Sequence, residues 1–349
     1  MTHTCNLRCL HCLHYSPFLV NPTRAGETTG YLDSQPQRME ALLDELLRLG
    51  TRDFELSPGG EPFLNPRLLN YIARLKRSGS HCSCHTNGTL LNASILDELI
   101  SLGFDDLIIT TMAGTADTYG ATHPGCPADA FATIENNLRT LGERKRARRA
   151  RAPRVRLSFI LIRQNADGIA AFAEFAARMR VESVRYFPVF DVSDPGFAAV
   201  FPTAEQFPMI TEQLAAARAV LDVAGIDHNV ARFRQLFKQR LDTAALYRVI
   251  GCYYSWYGVK VDPSGHVYPC CCCQVPIGNI NEQSFTEIWQ GEAYRQLRAE
   301  LLSLPRRSGP LPGYLCHSCI HYMQNIGFNR LFHPLTSWMA MAAIRGHDL

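Results

Sequence analysis

Short apolar segments alternate with segments of helical periodicity along the first two thirds of the chain. The apolar segments lie near residues 54, 83, 108, 158 and 186, and each is followed by a segment whose apolar residues recur at helical spacing. Strands that are separated by helices pair in parallel, with the helices crossing outside the sheet. The sequence therefore predicts an α/β fold, either a barrel or an open sheet.

The same patterns predict where the helices and the long loops lie. Helices are expected at 37–49, 68–77, 93–102, 128–141, 169–179 and 203–223. The turn-rich segment 21–36 is expected to form a loop, and so is the basic segment 143–156, ERKRARRARAPRVR. Contact with nucleic-acid phosphates is the alternative for the basic segment, but a solvated loop is the favoured interpretation.

Composition limits the compartment and the chemistry. The 349-residue chain has a formal net charge of +3 and thirteen cysteines. No apolar run approaches the roughly 20 residues of a membrane helix, and the N-terminus lacks the regions of a secretory signal. Because cytoplasmic thiols stay reduced, this many cysteines indicates metal or redox chemistry rather than a disulfide framework. We therefore predict a cytoplasmic protein without membrane contact.

Cys5, Cys9 and Cys12 form a closely spaced triplet near the start of the chain. A [4Fe–4S] cluster is normally held by four thiolates, so three cysteines would leave one iron open to a small molecule. A structural zinc site that also uses His11 or His14 is the alternative. The triplet by itself is compatible with both.

Two further motifs accompany the triplet. Gly59-Gly60-Glu61-Pro62 follows the first predicted strand, and Thr86-Asn87-Gly88 follows the second. Together with Cys5-Asn6-Leu7-Arg8-Cys9-Leu10-His11-Cys12, they resemble the motifs of the radical S-adenosylmethionine (radical SAM) superfamily. The resemblance implies a partial (β/α)6 TIM-like barrel that binds S-adenosylmethionine on the open iron. It also implies a 5′-deoxyadenosyl radical, made with an electron from an external donor such as flavodoxin or ferredoxin.

The resemblance assigns roles to individual residues. Gly59 and Gly60 would let the backbone approach the methionine end of S-adenosylmethionine, and the Glu61 carboxylate would accept hydrogen bonds from its ammonium group. The other residues placed at this cofactor are Pro62, His11 beside the adenine, and Asn87, Thr110 and Arg163 near the ribose or carboxylate. Each of the last three is equally consistent with a role in the scaffold.

The pattern of the sequence changes after residue 251. Two short alternating runs, 256–261 and 266–268, predict a hairpin, and a helix is expected at 285–302. With Cys252, Cys270, Cys316 and Cys319, the hairpin resembles the twitch subdomain, a shortened form of the SPASM extension. The resemblance implies that these cysteines hold one auxiliary [4Fe–4S] cluster. A zinc ribbon is the alternative, because C-x2-C spacings serve both metals.

Six cysteines remain without an assigned role. Cys271, Cys272 and Cys273 directly follow Cys270, and one of them could replace it or serve a second auxiliary cluster. Cys82, Cys84 and Cys126 are expected to be unligated thiols, the first two on one face of a strand.

The expected domain limits are 1–225 for the barrel, 226–250 for a helical linker, 251–325 for the auxiliary subdomain and 326–349 for a tail helix. Only four residues precede Cys5. The strand that would carry the cysteine triplet is therefore expected to be missing or truncated.

An enzyme of the radical type is the favoured function, ahead of an iron–sulfur electron carrier and a zinc-stabilised nucleic-acid binder. One auxiliary cluster without a leader-recognition domain favours a small polar metabolite, such as a sugar, aminocyclitol or nucleoside in an antibiotic pathway. The expected reaction is dehydrogenation, decarboxylation, epimerisation or elimination, by an oxidoreductase or a lyase. A ribosomal-peptide maturase with a separate leader-binding partner is the alternative. Arg163, Arg185, Tyr186 and Asp191, near the last strand ends, are candidates for substrate contact.

Overall fold

The structure, a computed structural model, describes residues 2–20, 35–57, 59–190, 194–239, 243–307 and 309–334. The chain forms two compact units. The first comprises Met1–Asp33 and Thr51–Gln235, and the second comprises Ser34–Gly50 and Leu236–Leu349. The second unit therefore includes an early helix, α1 (Pro36–Arg48).

Six parallel strands form the sheet of the first unit, and they are neighbours in the order in which they occur in the chain. They are β1 (Asp53–Leu56), β2 (His81–Thr86), β3 (Asp106–Thr110), β4 (Arg154–Leu161), β5 (Ser183–Pro188) and β6 (Asp227–His228). The predicted parallel α/β class is confirmed, and so are the five predicted strands. The sixth strand was missed because it has only two residues. With every strand parallel, the carboxyl ends all meet at one edge of the sheet.

Helices connect these strands. They are α2 (Leu68–Arg77), α3 (Ala93–Ser101), α4 (Ala116–Thr122), α5 (Ala130–Ala147), α6 (Ile169–Met179) and α7 (Phe207–Ala224). One more helix, α8 (Val230–Gln239), follows the last strand. Short 3-10 helices cover Pro62–Leu64, Arg163–Asn165, Pro195–Val200 and Ala204–Gln206. The sequence patterns located α2 and α6 correctly and missed α4, which begins at a Thr115 cap.

The core of the first unit lies on both faces of the sheet. Consecutive residues of β3, Leu107, Ile108 and Ile109, are all buried, which requires cover on both sides of the strand. On one side the Phe159 ring packs against Phe172 of α6, with 5.0 Å between the ring centroids. This packing accounts for the apolar runs from which the strands were predicted.

The prediction of a solvated loop across the whole basic segment 143–156 is wrong. Helix α5 continues to Ala147, and β4 begins at Arg154. Lys145 is 9% exposed, donates a hydrogen bond of 2.7 Å to the carbonyl of Pro153 and forms an ion pair with Glu182. A buried ammonium group is tolerated when it is paired in this way. Because the partner Glu182 lies outside the basic segment, the sequence of that segment did not show that Lys145 faces inward.

The second unit contains a small antiparallel sheet of three strands, β7 (Lys260–Val261), β8 (His266–Tyr268) and β9 (Gly278–Asn279). The Asp262 carboxylate accepts hydrogen bonds from the backbone N–H groups of Ser264 (2.9 Å) and His266 (3.0 Å), and Gly265 adopts a φ of +88°. These features form the predicted hairpin, with a first strand shorter than expected. The third strand was not predicted.

The remaining helices of the second unit are α9 (Phe285–Gln290), α10 (Glu292–Leu302) and α11 (Tyr322–Phe332). The single helix predicted at 285–302 is wrong, because Gly291 is extended, with φ −66° and ψ 164°, and separates α9 from α10. Glu45 of α1 accepts hydrogen bonds from the backbone N–H (2.8 Å) and hydroxyl (2.9 Å) of Thr286 at the start of α9. Most of the predicted tail helix lies outside the described residues.

Short 3-10 helices in this unit cover Ala245–Arg248, Tyr254–Trp256, Leu304–Arg306 and Cys316–Ser318. Among the helices that the structure describes, none combines the length and the apolar character that a membrane span requires.

Candidate active site and auxiliary thiol site

The cysteine triplet lies in a loop of the first unit that is held by backbone hydrogen bonds. The backbone N–H of Leu10 donates to the carbonyl of Thr122 (3.0 Å) in α4, and that of Cys12 donates to the carbonyl of Cys9 (3.0 Å). The Cys12 sulfur accepts from the N–H groups of His14 (3.4 Å) and Tyr15 (3.3 Å). Such donors stabilise a thiolate, so the loop is suited to hold metal-bound sulfur.

The three thiols affect one another electrostatically. Burial raises the pKa of Cys9 well above its ordinary value, and nearby Cys12 and Cys5 raise it further. Burial also raises the pKa of Cys5, and Glu61 and Cys12 add to this effect. A cationic iron–sulfur core would offset this repulsion, because metal binding requires and stabilises the deprotonated thiolates.

The Gly59–Glu61 segment packs directly against the start of the chain. A Cβ atom on Gly60 would lie 2.1 Å from the carbonyl oxygen of Thr4, and one on Gly59 would lie 2.8 Å from Nδ1 of His3. The backbone N–H of Glu61 donates to the same Thr4 carbonyl at 2.8 Å. Gly60 is therefore required for the close approach of this segment to the residue before Cys5. Pro62 is buried and begins the next 3-10 helix.

The Glu61 carboxylate is 1% exposed and connects two strand ends. It accepts hydrogen bonds from the Thr86 hydroxyl (2.7 Å) and from the N–H groups of Asn87 (2.8 Å) and Phe63 (3.2 Å). Burial raises the pKa of Glu61, and these three donors oppose the rise. A carboxylate has about four acceptor positions, so one remains for a further donor such as an ammonium group.

Asn87 joins this network to the cysteine loop. Its amide donates to the Asn6 side-chain oxygen at 2.8 Å, and the Asn6 amide donates to the Thr89 hydroxyl at 2.9 Å. Glu61 and Asn87, both predicted from the motifs, are thus brought together beside Cys5. Thr86, Asn6 and Thr89 were not assigned roles, although the Thr86-Asn87-Gly88 motif pointed to their neighbourhood.

A group of buried aromatic side chains lies beside the cysteines. The Tyr119 and His123 rings stack with centroids 4.1 Å apart, and the pKa of the Tyr119 phenol is raised by burial and then by Cys9. Burial lowers the pKa of His123 to about 4. Burial also lowers the pKa of His11 to about 3, and the nearby His123 contributes to that lowering. Within the described residues, His11 Nδ1, Tyr119 Oη and His123 Nε2 are buried without a hydrogen-bond partner. Both imidazoles are therefore neutral at pH 7.

Two residues predicted at the cofactor lie further along the sheet. Thr110 ends β3 and is paired in register with Ser158. Arg163 donates to the carbonyls of Phe201 (3.1 Å) and Ala198 (3.5 Å), so its guanidinium is engaged by the loop after β5. The structure does not join either residue to the Glu61 network through a hydrogen bond that it records among the described residues.

The other substrate candidates are dispersed. Arg185 forms an ion pair with Asp227 across β5 and β6, and the buried Tyr186 hydroxyl donates to the carbonyl of Ile169 at 3.2 Å. Asp191 lies outside the described residues. Arg185 and Tyr186 thus have partners in the scaffold.

In the second unit, side chains from separate segments surround the predicted auxiliary cysteines. The Tyr247 hydroxyl lies 3.0 Å from the Cys319 sulfur, and the Asn325 amide donates to that hydroxyl at 2.9 Å. The Thr243 hydroxyl donates to the carbonyl of Cys316 and accepts from the N–H of Cys319 at 2.9 Å. Burial raises the pKa of Cys252 to about 11. Cys316 belongs to a buried apolar cluster, and the partly buried Cys252 and Cys319 pack against it.

No cysteine forms a disulfide, and within the described ranges no three His, Cys, Asp or Glu side chains converge tightly enough to coordinate a single metal ion. In a [4Fe–4S] cluster each thiolate binds a different iron, so its ligands surround a larger group than one ion. Cys82 and Cys84 are core side chains of β2, each 0% exposed.

Comparisons with known proteins agree with this geometry. Residues 1–176 match the radical SAM superfamily, and residues 252–320 match the SPASM iron–sulfur cluster-binding domain. The PqqA peptide cyclase of Granulibacter bethesdensis is 24% identical over 308 residues, which cover 83% of this chain and 72% of that protein. The AdoMet-dependent heme synthase of Methanosarcina barkeri is 26% identical over 310 residues, covering 85% and 83%.

A solved structure shares the fold. Native anSMEcpe with bound AdoMet and Kp18Cys peptide matches with a TM-score of 0.60 and 15% identity over 97% of both chains. The prediction of a sugar, aminocyclitol or nucleoside as substrate and small-molecule partner is contradicted by the peptide cyclases among the relatives and by this peptide-bound neighbour. That prediction relied on the expectation of a single auxiliary cluster without a leader-recognition domain, and neither a fold nor a cofactor site specifies the substrate, which explains the error.

The superfamily match covers just over half of the chain and includes the triplet, the Glu61 segment and Asn87. The predicted resemblance is confirmed, and with it the cofactors. The chain belongs to the radical SAM superfamily, carries a SPASM iron–sulfur domain in its second part, and uses S-adenosylmethionine and [4Fe–4S] clusters.

Proposed function

We propose that this enzyme removes a hydrogen atom from a residue of a ribosomally made peptide and converts that residue into a modified product. The observation that carries the proposal is the alignment with PqqA peptide cyclases over more than four fifths of the chain. The thiol-rich surroundings of both sites also favour a cytoplasmic enzyme, where thiols stay reduced.

When bound, the clusters and S-adenosylmethionine supply one-electron reduction and a 5′-deoxyadenosyl radical. The chain's contribution begins with three thiolates, Cys5, Cys9 and Cys12, held by a loop whose position depends on Gly60. Glu61 has one acceptor position left and is fixed by the Thr86 hydroxyl and the Asn87 N–H, so it can orient an ammonium group without moving.

The neutral imidazoles of His11 and His123 contribute a second property. Because burial keeps both rings uncharged at pH 7, they add no positive charge beside the Cys9 thiolate. The buried rings of His123 and Tyr119 exclude water from that side of the cysteine loop. A radical formed in a dry pocket is protected from side reactions with solvent.

We assign the oxidoreductase class in preference to the lyase class. Removal of one hydrogen atom leaves a carbon radical on the peptide, and forming a new bond to a second side chain then requires loss of one proton and one electron. The second unit, with thiols from Cys252, Cys316 and Cys319 around one apolar cluster, is suited to hold the electron acceptor. The balanced product is a cross-linked peptide that lacks two hydrogen atoms.

The test is an anaerobic assay with reconstituted protein, S-adenosylmethionine and a chemical one-electron reductant. Candidate peptides are those encoded by short reading frames next to the gene, and an iron porphyrin is a separate arm because one relative is a heme synthase. We expect one encoded peptide to increase 5′-deoxyadenosine formation and to lose a hydrogen pair in its mass spectrum. Cys9→Ala abolishes both signals, whereas Cys82→Ala, a core thiol near the start of β2 and away from both sites, retains them.

The controls separate the possible results. Increased 5′-deoxyadenosine with the porphyrin and with none of the peptides would overturn the peptide proposal. Loss of carbon dioxide from the peptide, in place of a hydrogen pair, would retain the peptide substrate and replace the oxidoreductase class by a lyase.

A further inference from the structure

The sheet of the first unit has two faces, and one of them is turned away from α6. Because side chains alternate along a strand, residues paired in register between parallel strands point to the same side. Phe159 and Tyr186 point toward α6, since both rings pack against Phe172, with centroids 5.0 and 5.7 Å away. The opposite side, here called the inner face, carries the alternate residues His85, Ile108, Arg156, Ser158, Ile160 and Arg185.

The inner face meets the cysteine loop at the carboxyl end of β4. Ile160 packs against an apolar cluster that includes Leu10, from the middle of the cysteine triplet. Ser158 and Arg156 lie on the same side of β4, two and four residues before Ile160. At the usual rise of a strand, their Cα atoms are about 7 and 13 Å from that of Ile160. A peptide of a few residues can therefore contact Arg156 and the cysteine loop at once.

Two polar atoms on this face are buried without a partner. Ser158 is 3% exposed, and neither its hydroxyl oxygen nor Nε of Arg156 has a hydrogen-bond partner among the residues that the structure describes. An unpaired buried polar group destabilises a fold, so such groups are rare unless something outside the chain completes them. Two of them at alternate positions of one strand indicate a polar ligand.

Arg156 also has no recorded acidic partner. Within the described part of the chain no ion pair is recorded for its guanidinium, whereas Arg185, on the same face of β5, forms an ion pair with Asp227. The positive charge of Arg156 is therefore left for an anion that the described residues do not supply.

His85, which is linked in register to Arg156 through Ile108, does not add a second positive charge. Burial lowers the pKa of His85, and the charge of Arg156 lowers it further, against the opposing effect of Glu55. The carboxylate of Glu55 is exposed and lies 3.6 Å from Nε2 of His85. The imidazole is therefore neutral at pH 7, and Arg156 supplies the fixed charge of this row.

An arginine next to a serine is well suited to a carboxylate. The planar guanidinium can donate two parallel hydrogen bonds to the two carboxylate oxygens, and a hydroxyl can donate a third. Water is largely excluded around Ser158, which strengthens such bonds. A neutral amide of the same shape would leave the charge of Arg156 unpaired. The inner face should therefore prefer an anionic group to a neutral one.

We propose that Arg156 and Ser158 bind a carboxylate of the peptide substrate. They thereby select a peptide with an acidic side chain, or its free C-terminus, within about four residues of the residue that reacts. The inference rests on the proposed peptide substrate and adds the chemistry by which the sheet recognises it. Arg156 and Ser158 determine specificity and take no part in the removal of hydrogen.

The first test measures binding without turnover. Reconstituted protein with S-adenosylmethionine and no reductant is dialysed to equilibrium against three pools of N-acetylated pentapeptides, whose other residues are random and uncharged. The first pool has a central glutamate and an amidated C-terminus, the second a central glutamine and a free C-terminus, and the third a central glutamine and an amidated C-terminus. We expect one of the first two pools to be retained at least about tenfold better than the third.

Arg156→Gln is expected to abolish this preference. Arg139→Gln is the matched control, because Arg139 lies on α5 and pairs with Glu135 at 3.0 Å, so the same charge is removed away from the inner face. Ser158→Ala should weaken the preference and keep or raise the free energy of unfolding, since it removes a hydroxyl that has no recorded partner. If Arg156→Gln does not fold, Arg156→Lys, which keeps the charge without the paired donors, should lower the preference in part.

The second test uses an encoded peptide that increases 5′-deoxyadenosine formation. Arg156→Gln should raise KM for that peptide about tenfold or more and change kcat little. Replacing the recognised acidic residue of the peptide by glutamine, or amidating its C-terminus, should raise KM equally in the wild type and have no further effect in Arg156→Gln.

The outcomes separate this inference from the proposed function. Equal retention of the three pools by the wild type, or an unchanged preference in Arg156→Gln, would overturn the carboxylate inference. If no encoded peptide is a substrate, the proposed function fails, and the dialysis result still decides for or against Arg156.

Discussion

The two thiol sites of this protein differ in what surrounds the sulfur atoms. The triplet of the first unit lies beside a buried carboxylate, Glu61, and two neutral imidazoles, and its recorded sulfur donors are backbone N–H groups. In the second unit the sulfurs are also contacted by side chains, among them the Tyr247 hydroxyl and the Asn325 amide. The first site is suited to an iron that exchanges its ligand, and the second to a closed cluster whose charge is stabilised by fixed donors.

The substitution Gly60→Ala should have the largest effect, and it should affect only the first site. The added Cβ would lie 2.1 Å from the Thr4 carbonyl, so the loop must move away from the residue before Cys5. We expect bound iron to fall from about eight to about four per chain, with the auxiliary cluster retained. Gly120→Ala is the matched control, because its Cβ would meet nothing within 4 Å, and it should keep all the iron.

Acid should destabilise the first unit through His123. Burial lowers the folded-state pKa to about 4, below the ordinary value of 6.5, so the neutral form stabilises the fold above pH 6.5. That contribution, up to about 3 kcal/mol, is lost as pH falls from 6.5 towards 4. Urea unfolding at a series of pH values measures it. His11, whose pKa burial lowers to about 3, adds to the same acid limb, so His123→Asn should reduce the limb without abolishing it. An unchanged limb would contradict the assignment.

Glu61→Gln should lower the free energy of unfolding more than the same substitution at a carboxylate of the second unit. Both Glu61 oxygens accept hydrogen bonds, and an amide can accept on only one side, so one buried donor loses its partner. We expect a loss of about 1–3 kcal/mol in the free energy of unfolding. Glu45→Gln in the second unit should cost less, because the Thr286 donors use a single oxygen, Oε2. Equal losses of unfolding free energy in the two variants would contradict this expectation.

Tyr247→Phe should have the smallest effect, a shift in the potential of the second site. The substitution removes the hydroxyl 3.0 Å from the Cys319 sulfur. Loss of one hydrogen bond worth about 1 kcal/mol corresponds to a lowering of the auxiliary midpoint potential by up to about 40 mV. Redox titration of the protein without its first triplet measures this shift. Tyr253→Phe, whose hydroxyl contacts Asn329, should leave the potential unchanged.

Local patterns predicted much of the fold, and they failed where distant residues decide the structure. The strands of the sheet follow from apolar runs, since both faces are buried. The end of α5 was misplaced because Lys145 is paired with Glu182, which lies 37 residues further along the chain. The break at Gly291 was missed because helical periodicity continues across it.

Sequence patterns were sufficient to predict the parallel α/β fold, the triplet with its Glu61 segment, and membership of the radical SAM superfamily. Spacing within a few residues is enough for each of these, because motifs and periodicity are local properties of the chain. Folding brought Thr86 to Glu61, Tyr247 to Cys319, and the Cys272 carbonyl to the N–H of Leu315 beside the C-x2-C motif. Four adjacent cysteines are equivalent in the sequence, and the turn that separates their side chains is fixed by hydrogen bonds to residues 313 and 315, which only folding brings near.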